Sequence, residues 1–227
     1  MIFQPAEESS CGALEVLSTG CLDDVKAIIG FHNMPQLKAN QLALKSGAVM
    51  AGVEKFKVEV EGVSSHAARP DLGVDTVLTL TSMIQALQVL VARTVSPFEA
   101  NVLSITHIEA GSTWNVLPQK GFFEGTIRSF SPNSQKQLKA DFINIVENIA
   151  KNFGAKVMIS WAQTPPVTYN DESLTPLLFE CAQKFAEVLE ANPSTAGEDF
   201  AFYQEKIPGV FAFIGSNGEA DAPDLHH

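Results

Sequence analysis

Between residues 53 and 166 the hydrophobic pattern moves between a period of two and a helical period in a fixed order. That order limits the fold more than any other feature of the chain. Phe56, Val58 and Val60 alternate with Lys55, Lys57, Glu59 and Glu61, the pattern of a half-buried strand. Residues 75–93 carry Val77, Leu80, Ile84, Leu87 and Val91 on one helical face. Residues 102–108 and 122–130 read as strands, the second with Gly125 inside it. Ser131 and Pro132 open a helix in which Leu138, Phe142, Ile145, Ile149 and Phe153 recur at helical spacing until Gly154. A last strand, 156–161, precedes the Pro165-Pro166 break. The succession β-α-β-β-α-β predicts a ferredoxin-like α+β unit, a four-stranded sheet with both helices on one face. The other sheet face, or an edge strand, is then a candidate dimer contact.

The flanks predict a second, discontinuous α/β domain built from 1–52 and 167–227, with 53–166 inserted. Residues 10–18 read as a short helix with Leu14 and Leu17 apolar and Gly20 as its stop. Residues 27–31 read as a short buried strand with His32 and Asn33 at its end, and 41–45 as another. Leu174, Leu177, Leu178, Cys181, Phe185 and Val188 predict one amphipathic helix. A turn at 196–200 and an apolar strand at 210–214 follow.

Composition narrows the function classes. At 227 residues and 45% apolar the chain can build one large core or two modest ones. Fifteen basic against twenty-six acidic residues, a net charge of −11, disfavour nucleic acid as a partner. Without a run of about 18 apolar residues no membrane span is expected, and no signal peptide is apparent. The three cysteines, Cys11, Cys21 and Cys181, are widely spaced and form no CxxC, which predicts reduced thiols and a cytoplasmic setting. Cys181 is read as a core filler and Cys11 is unassigned.

The chain opens on Phe3-Gln4-Pro5-Ala6-Glu7-Glu8-Ser9, read as a strand tail ending in two carboxylates. Neighbouring side chains on such a backbone diverge, so one acid can bind a cation while the other faces what the cation activates. The alternative is a solvated pair opening a helix. Glu7, Glu8, His32 and His226 or His227 are a carboxylate-imidazole set suited to Zn, Mn, Ni or Co. In the inserted unit His66 lies in a tight polar loop, where it can bond an oxyanion or cap the next element. Asn115 reads as a turn amide, Arg128 as a mid-strand cation and His107 as structural.

Six segments together resemble the aminoacylase/carboxypeptidase-like metal-dependent amidohydrolases, a group that includes hippurate hydrolase and the auxin-conjugate hydrolases. They are Phe3-Gln4-Pro5-Ala6-Glu7-Glu8, Gly30-Phe31-His32-Asn33, Ser65-His66-Ala67-Ala68-Arg69-Pro70, Asn115-Val116-Leu117-Pro118, Gly125-Thr126-Ile127-Arg128 and Gly197-Glu198-Asp199-Phe200. Leu225-His226-His227 closes the series. The resemblance implies metal-dependent hydrolysis of the amide bond of N-acyl amino acids by a zinc-peptidase-like α/β domain, with 53–166 as a lid and homodimerisation domain. It implies that Glu7 is the general base and that Glu8, His32 and His226 are metal ligands. His66 would be a lid histidine that reaches the partner subunit's site and stabilises the oxyanion there. Asn115 and Arg128 would be lid groups that hold the substrate carboxylate, and Gly197 would offer backbone contacts. It implies too that the full family pattern begins earlier, with a Cys-Gly-His-Asp-Gly-His stretch supplying further ligands of a two-metal site. The chain would then be an N-terminally truncated part of the fold, and the alternative function is a dimerisation or binding module without catalysis.

Overall fold

The computed structural model describes residues 1–217, and they form two compact units, 1–52 with 164–217, and Val53–Gln163. The first segment carries helix α1 (Gly12–Ser18) and strands β1 (Ile28–Lys38), β2 (Gln41–Leu44) and β3 (Gly47–Met50). The inserted unit carries β4 (Gly52–Glu61), β5 (Ser65–His66), α2 (Thr76–Leu87), β6 (Asn101–Ala110), β7 (Val116–Leu117), β8 (Lys120–Ser129), α3 (Pro132–Phe153) and β9 (Lys156–Trp161). The chain then returns through β10 (Thr168–Asn170), α4 (Leu174–Ala182), β11 (Glu187–Glu190), α5 (Ala201–Gln204) and β12 (Gly209–Asn217).

In the inserted unit the four long strands lie in the order β6-β8-β4-β9, with β5 and β7 as a separate two-stranded ladder. One face of the sheet buries Phe56, Val58, Val60, Phe123 and Ile127 against Leu80, Met83 and Leu87 of α2 and Leu138, Phe142 and Val146 of α3. Phe142 sits at its centre, 4.5 Å from the Phe56 ring and 5.3 Å from the Trp161 ring. Ser131 caps α3 by accepting from Ser134 N–H, Pro132 begins it, and Gly154, at φ 72°, ends it in the left-handed conformation that penalises a Cβ.

The buried face of α2 differs from the expected one. Val77 is exposed, and the stripe runs Thr76, Leu80, Met83, Leu87, Leu90. Asp75 caps the helix from Leu78 N–H, and Thr76 Oγ1 donates to Gln119 O, which together fix that rotation. A π turn, Leu90–Thr94, extends the helical run. Thr76–Thr94 is, by length and composition alone, long and apolar enough to cross a membrane. Its fully buried Leu80, Met83, Leu87 and Leu90 pack in the core of the unit.

The other unit is a sheet of order β1-β12-β2-β11, in which β1 and β12 run parallel, as do β2 and β11, while β12 and β2 run antiparallel. Over Gly209–Phe213 both faces of β12 are covered, which is why that stretch reads as an unbroken apolar run. Phe211 and Phe213 face the core that also holds Ala13 of α1 and Phe202 and Tyr203 of α5. Val210 and Ala212 face Leu174 and Leu178 of α4. Asn170, fully buried, stitches this unit together: it donates to Lys45 O and Phe211 O and accepts from Phe211 N–H and Gln204 Nε2.

Four expectations fail here. Strand β1 runs to Lys38 because the parallel ladder with β12 carries it past its apolar start. It lies at the sheet margin with Ile29 and Phe31 half exposed, and His32 is mid-strand. The predicted helix through Val188 stops at Ala182, and Val188 belongs to β11, paired with Leu42. Cys181 is exposed, not core, and Phe185 is 83% exposed. Residues 1–6 form no strand.

Candidate active site

Glu7–Ser9 form a single 3-10 turn, closed by Ser10 N–H donating to Glu7 O at 2.7 Å. Ala6 and Ser10 flank it at φ 57° and 53°, left-handed backbone for two residues that carry a Cβ. Such conformations cost on the order of 1 kcal/mol or more each and persist only where the surroundings enforce them. The turn separates the two acids: Glu7 is half-buried and Glu8 exposed.

A second acidic pair stands beside Glu7. Glu198 and Asp199 are 5% and 1% exposed, immediately ahead of α5. Asp199 accepts Gln4 Nε2 on both oxygens, at 2.7 and 2.8 Å, and Ala13 N–H at 3.0 Å. Tyr203 Oη donates to Gln4 Oε1 at 2.8 Å, and burial pushes the Tyr203 phenol up to about 12, so it remains a donor. Glu198 Oε2 lies 3.3 Å from His32 Nδ1. Strand β1 presents that histidine between the rings of Phe211, 6.3 Å away, and Phe213, 6.2 Å away and edge-on. Gly30 makes the approach possible: a Cβ there would stand 2.6 Å from the Phe200 ring and 2.8 Å from that of Phe211.

Among the described residues, Glu7, Glu198 and Asp199 each offer an oxygen within 4.8 Å of the others. Glu7 is accordingly raised from 4.5 to about 7, first by burial and then by Glu198, Asp199 and Glu8, with His32 opposing. Burial also raises Asp199, against the hydrogen bonds from Gln4 and Ala13. His32 is raised chiefly by its hydrogen bond to Glu198, which outweighs its desolvation. Crowded carboxylates beside an imidazole are a donor set that a divalent cation suits, because it removes the repulsion that burial amplifies.

The sequence-predicted residues fall into separate groups. Glu7 and His32 meet around Glu198. Glu8 is adjacent but outside the three-carboxylate group, and Gly197, half-buried, precedes Glu198. His226 lies outside the described residues. In the inserted unit, His66 of β5 pairs with Val116 of β7, its Nδ1 accepts from Ala68 N–H, and Ala67 N–H donates to Asn115 O at 3.0 Å. Asn115, directly before β7, therefore flanks the small ladder that carries His66. Arg128 lies on β8 opposite Val102, outside that ladder. His107 pairs with Glu124 at 3.0 Å on the sheet surface. Sequence reasoning missed Gln4, Glu198, Asp199 and Tyr203. The available signal was two adjacent acids followed by the apolar run Phe200-Ala201-Phe202-Tyr203, since acids drawn into a core need partners there.

Comparison with known proteins adds to this geometry. The whole chain, residues 1–227, matches peptidase family M20/M25/M40. It is 43% identical to the N-acetyl-L-cysteine deacetylase of Bacillus subtilis (strain 168) over 100% of this chain and 54% of that protein. It is 33% identical to IAA-amino acid hydrolase ILR1-like 5 of Arabidopsis thaliana, over 98% of this chain and 53% of that protein. The crystal structure of the YXEP protein of Bacillus subtilis, a dinuclear metal binding peptidase from the M20 family, superposes with a TM-score of 0.81. It is 34% identical, with 99% of this chain and 57% of that chain covered. The chain thus spans about half the length of the relatives it matches. The ordered motifs, the mixed α/β fold and the match along the whole chain agree: this is a member of peptidase family M20/M25/M40.

Proposed function

We propose that this chain carries part of the active site of a metal-dependent amidohydrolase that cleaves the amide bond of N-acyl amino acids. The observation that carries the reading is Glu7: a half-buried carboxylate whose proton affinity lies near neutrality, beside Glu198, Asp199 and His32. The names of the relatives, a deacetylase of N-acetyl-L-cysteine and a hydrolase of IAA-amino acids, support the bond type and substrate class.

In this reading Glu8, His32 and His226 hold a divalent cation, Zn, Mn, Ni or Co. When bound, that cation acidifies water and stabilises the oxygen that gains charge. Glu7 takes a proton from the attacking water and returns it to the leaving nitrogen, and a base poised near pH 7 suits both transfers. His66 donates to the oxyanion, an interaction on the order of 3 kcal/mol for one donor. Asn115 and the planar fork of Arg128 hold the substrate carboxylate, and Gly197 offers its backbone. The inserted unit serves as lid and homodimer contact.

The test is hydrolysis of N-acetyl and N-benzoyl amino acids by the protein of full family length, with and without chelator. Chelator-sensitive activity, reduced at least about 100-fold in Glu7→Gln, is expected. Activity indifferent to chelation, or no activity after metal loading, refutes the reading. A second reading, a dimerisation or binding module without catalysis, draws on the chain spanning about half of its relatives. Tight uptake of two metal ions by the 227-residue chain counts against it.

A further inference from the structure

The acidic turn is held at both ends by one buried carboxylate. Gln4, on its N-terminal side, donates to both oxygens of Asp199, and Ala13 N–H, on its C-terminal side, donates to one of them. These bonds occupy three of the roughly four acceptor positions of that carboxylate, so Asp199 is largely committed to the turn. Gln4 is fixed in its own right, because Tyr203 Oη bonds its Oε1. Its amide accepts from the phenol at one end while donating to the carboxylate at the other. Between the two anchors, Ala6 and Ser10 hold left-handed backbone that neither residue favours. A turn of that kind relaxes when its surroundings cease to enforce it, and its relaxation would redirect both Glu7 and Glu8.

We propose that Tyr203, Gln4 and Asp199 form a positioning relay that holds the Glu7–Glu8 turn in the geometry a divalent cation requires. The relay acts through the backbone of the turn, so these are positioning residues. The proposal rests on the metal-site reading above.

Two variants, made in the protein of full family length and numbered as in this chain, test it. Gln4→Met keeps length and removes donor and acceptor together, and Tyr203→Phe removes only the hydroxyl. In metal-free protein, amide exchange at Ser10 and Ala13 is expected to accelerate at least about tenfold in Gln4→Met and less in Tyr203→Phe, with β12 amides unchanged. Cobalt(II), followed by its visible absorption, is expected to bind about 10–100-fold more weakly to Gln4→Met with an altered spectrum. Unchanged exchange in both variants overturns the relay. Faster exchange with wild-type cobalt affinity and spectrum also overturns it, since the bonds would then brace the fold without positioning anything. Failure of the wild-type chain to take up cobalt refutes the metal-site reading instead, and the exchange measurement still decides whether the relay holds the turn.

Discussion

Replacing Gly30 by alanine tests how the site is assembled, because the glycine does nothing chemical and only leaves room. Its added Cβ would stand 2.6 and 2.7 Å from two carbons of the Phe200 ring and 2.8 Å from one of Phe211. Ordinary contact begins at 3.4 Å, so the nearer ring must withdraw by about 0.8 Å. Both rings are buried, and forcing an extra carbon into a packed core costs about 1–3 kcal/mol. Against this, alanine has less backbone freedom to lose than glycine, a gain of about 0.5–1 kcal/mol. The steric term wins, and the net loss is about 1–2 kcal/mol. With a urea slope of about 2 kcal/mol per molar, the unfolding midpoint should fall by about 0.5–1 M. Hydrogen exchange across residues 28–38 should assign that loss to β1. Phe200→Leu in the same background should recover at least about 0.5 kcal/mol, though not all, because Phe211 still crowds the site. A Gly30→Ala chain as stable as wild type, or strictly additive with Phe200→Leu, would refute the reasoning.

Three further outcomes follow from the geometry. Asn170→Leu leaves Phe211 N–H, Phe211 O and Lys45 O without their partner, and urea unfolding should show a loss of about 2–4 kcal/mol. Phe142→Ala should cost about 3–5 kcal/mol and weaken the near-UV circular dichroism of Trp161, whose ring it meets. In chelator, stability should fall as pH rises. Glu7, raised from 4.5 to about 7, binds more protons folded than unfolded across that window, and its contribution is complete below 4.5 and gone above 7. His32, raised by Glu198, likewise contributes below 6.5 and loses that contribution as pH passes its folded value. The Glu7 gap corresponds to roughly 3 kcal/mol, which solvent screening of this half-exposed group reduces to about 1–2. Urea midpoints at pH 5 and 8 should show the fall, and Glu7→Gln should flatten it. A slope of opposite sign, or one unchanged by the substitution, would contradict the assignment.

Much of the inserted unit was legible because its strands and helices differ in period. Phe56, Val58 and Val60 cannot share a helical face, and Leu138 and Phe142 cannot share a strand face with their neighbours. The reading weakened where one stripe satisfied both periods. Leu174 to Cys181 is helical, but Phe185 and Val188 continue the spacing by coincidence, and pairing with β2 decides the matter. The extension of β1 past Phe31 was invisible for the same reason, since its partner β12 lies at the other end of the chain. At the candidate site the acids at 7 and 8 were conspicuous in sequence. Their surroundings were not: Asp199 matters because Gln4 and Ala13 reach it, and nothing local to any one of those residues announces the others.

The interruption of one unit by the other bears on the order in which the molecule acquires structure. Ile28 pairs with Gly209, so the β1–β12 ladder must close across the whole insertion, a long loop and a slow one. Folding of the insertion shortens that search. Strands β4 and β9 run antiparallel side by side, and Ala162 N–H donates to Lys55 O at 2.9 Å, which brings the two ends of the insertion together. On a ribosome Val53–Gln163 emerges complete before β12 exists, and domains fold as units during synthesis. The two halves of the candidate site would then be joined last, by a segment already stapled shut. Pulse-labelled exchange should find β4 and β9 protected before β1, and Phe142→Ala, by loosening the staple, should delay β1 as well.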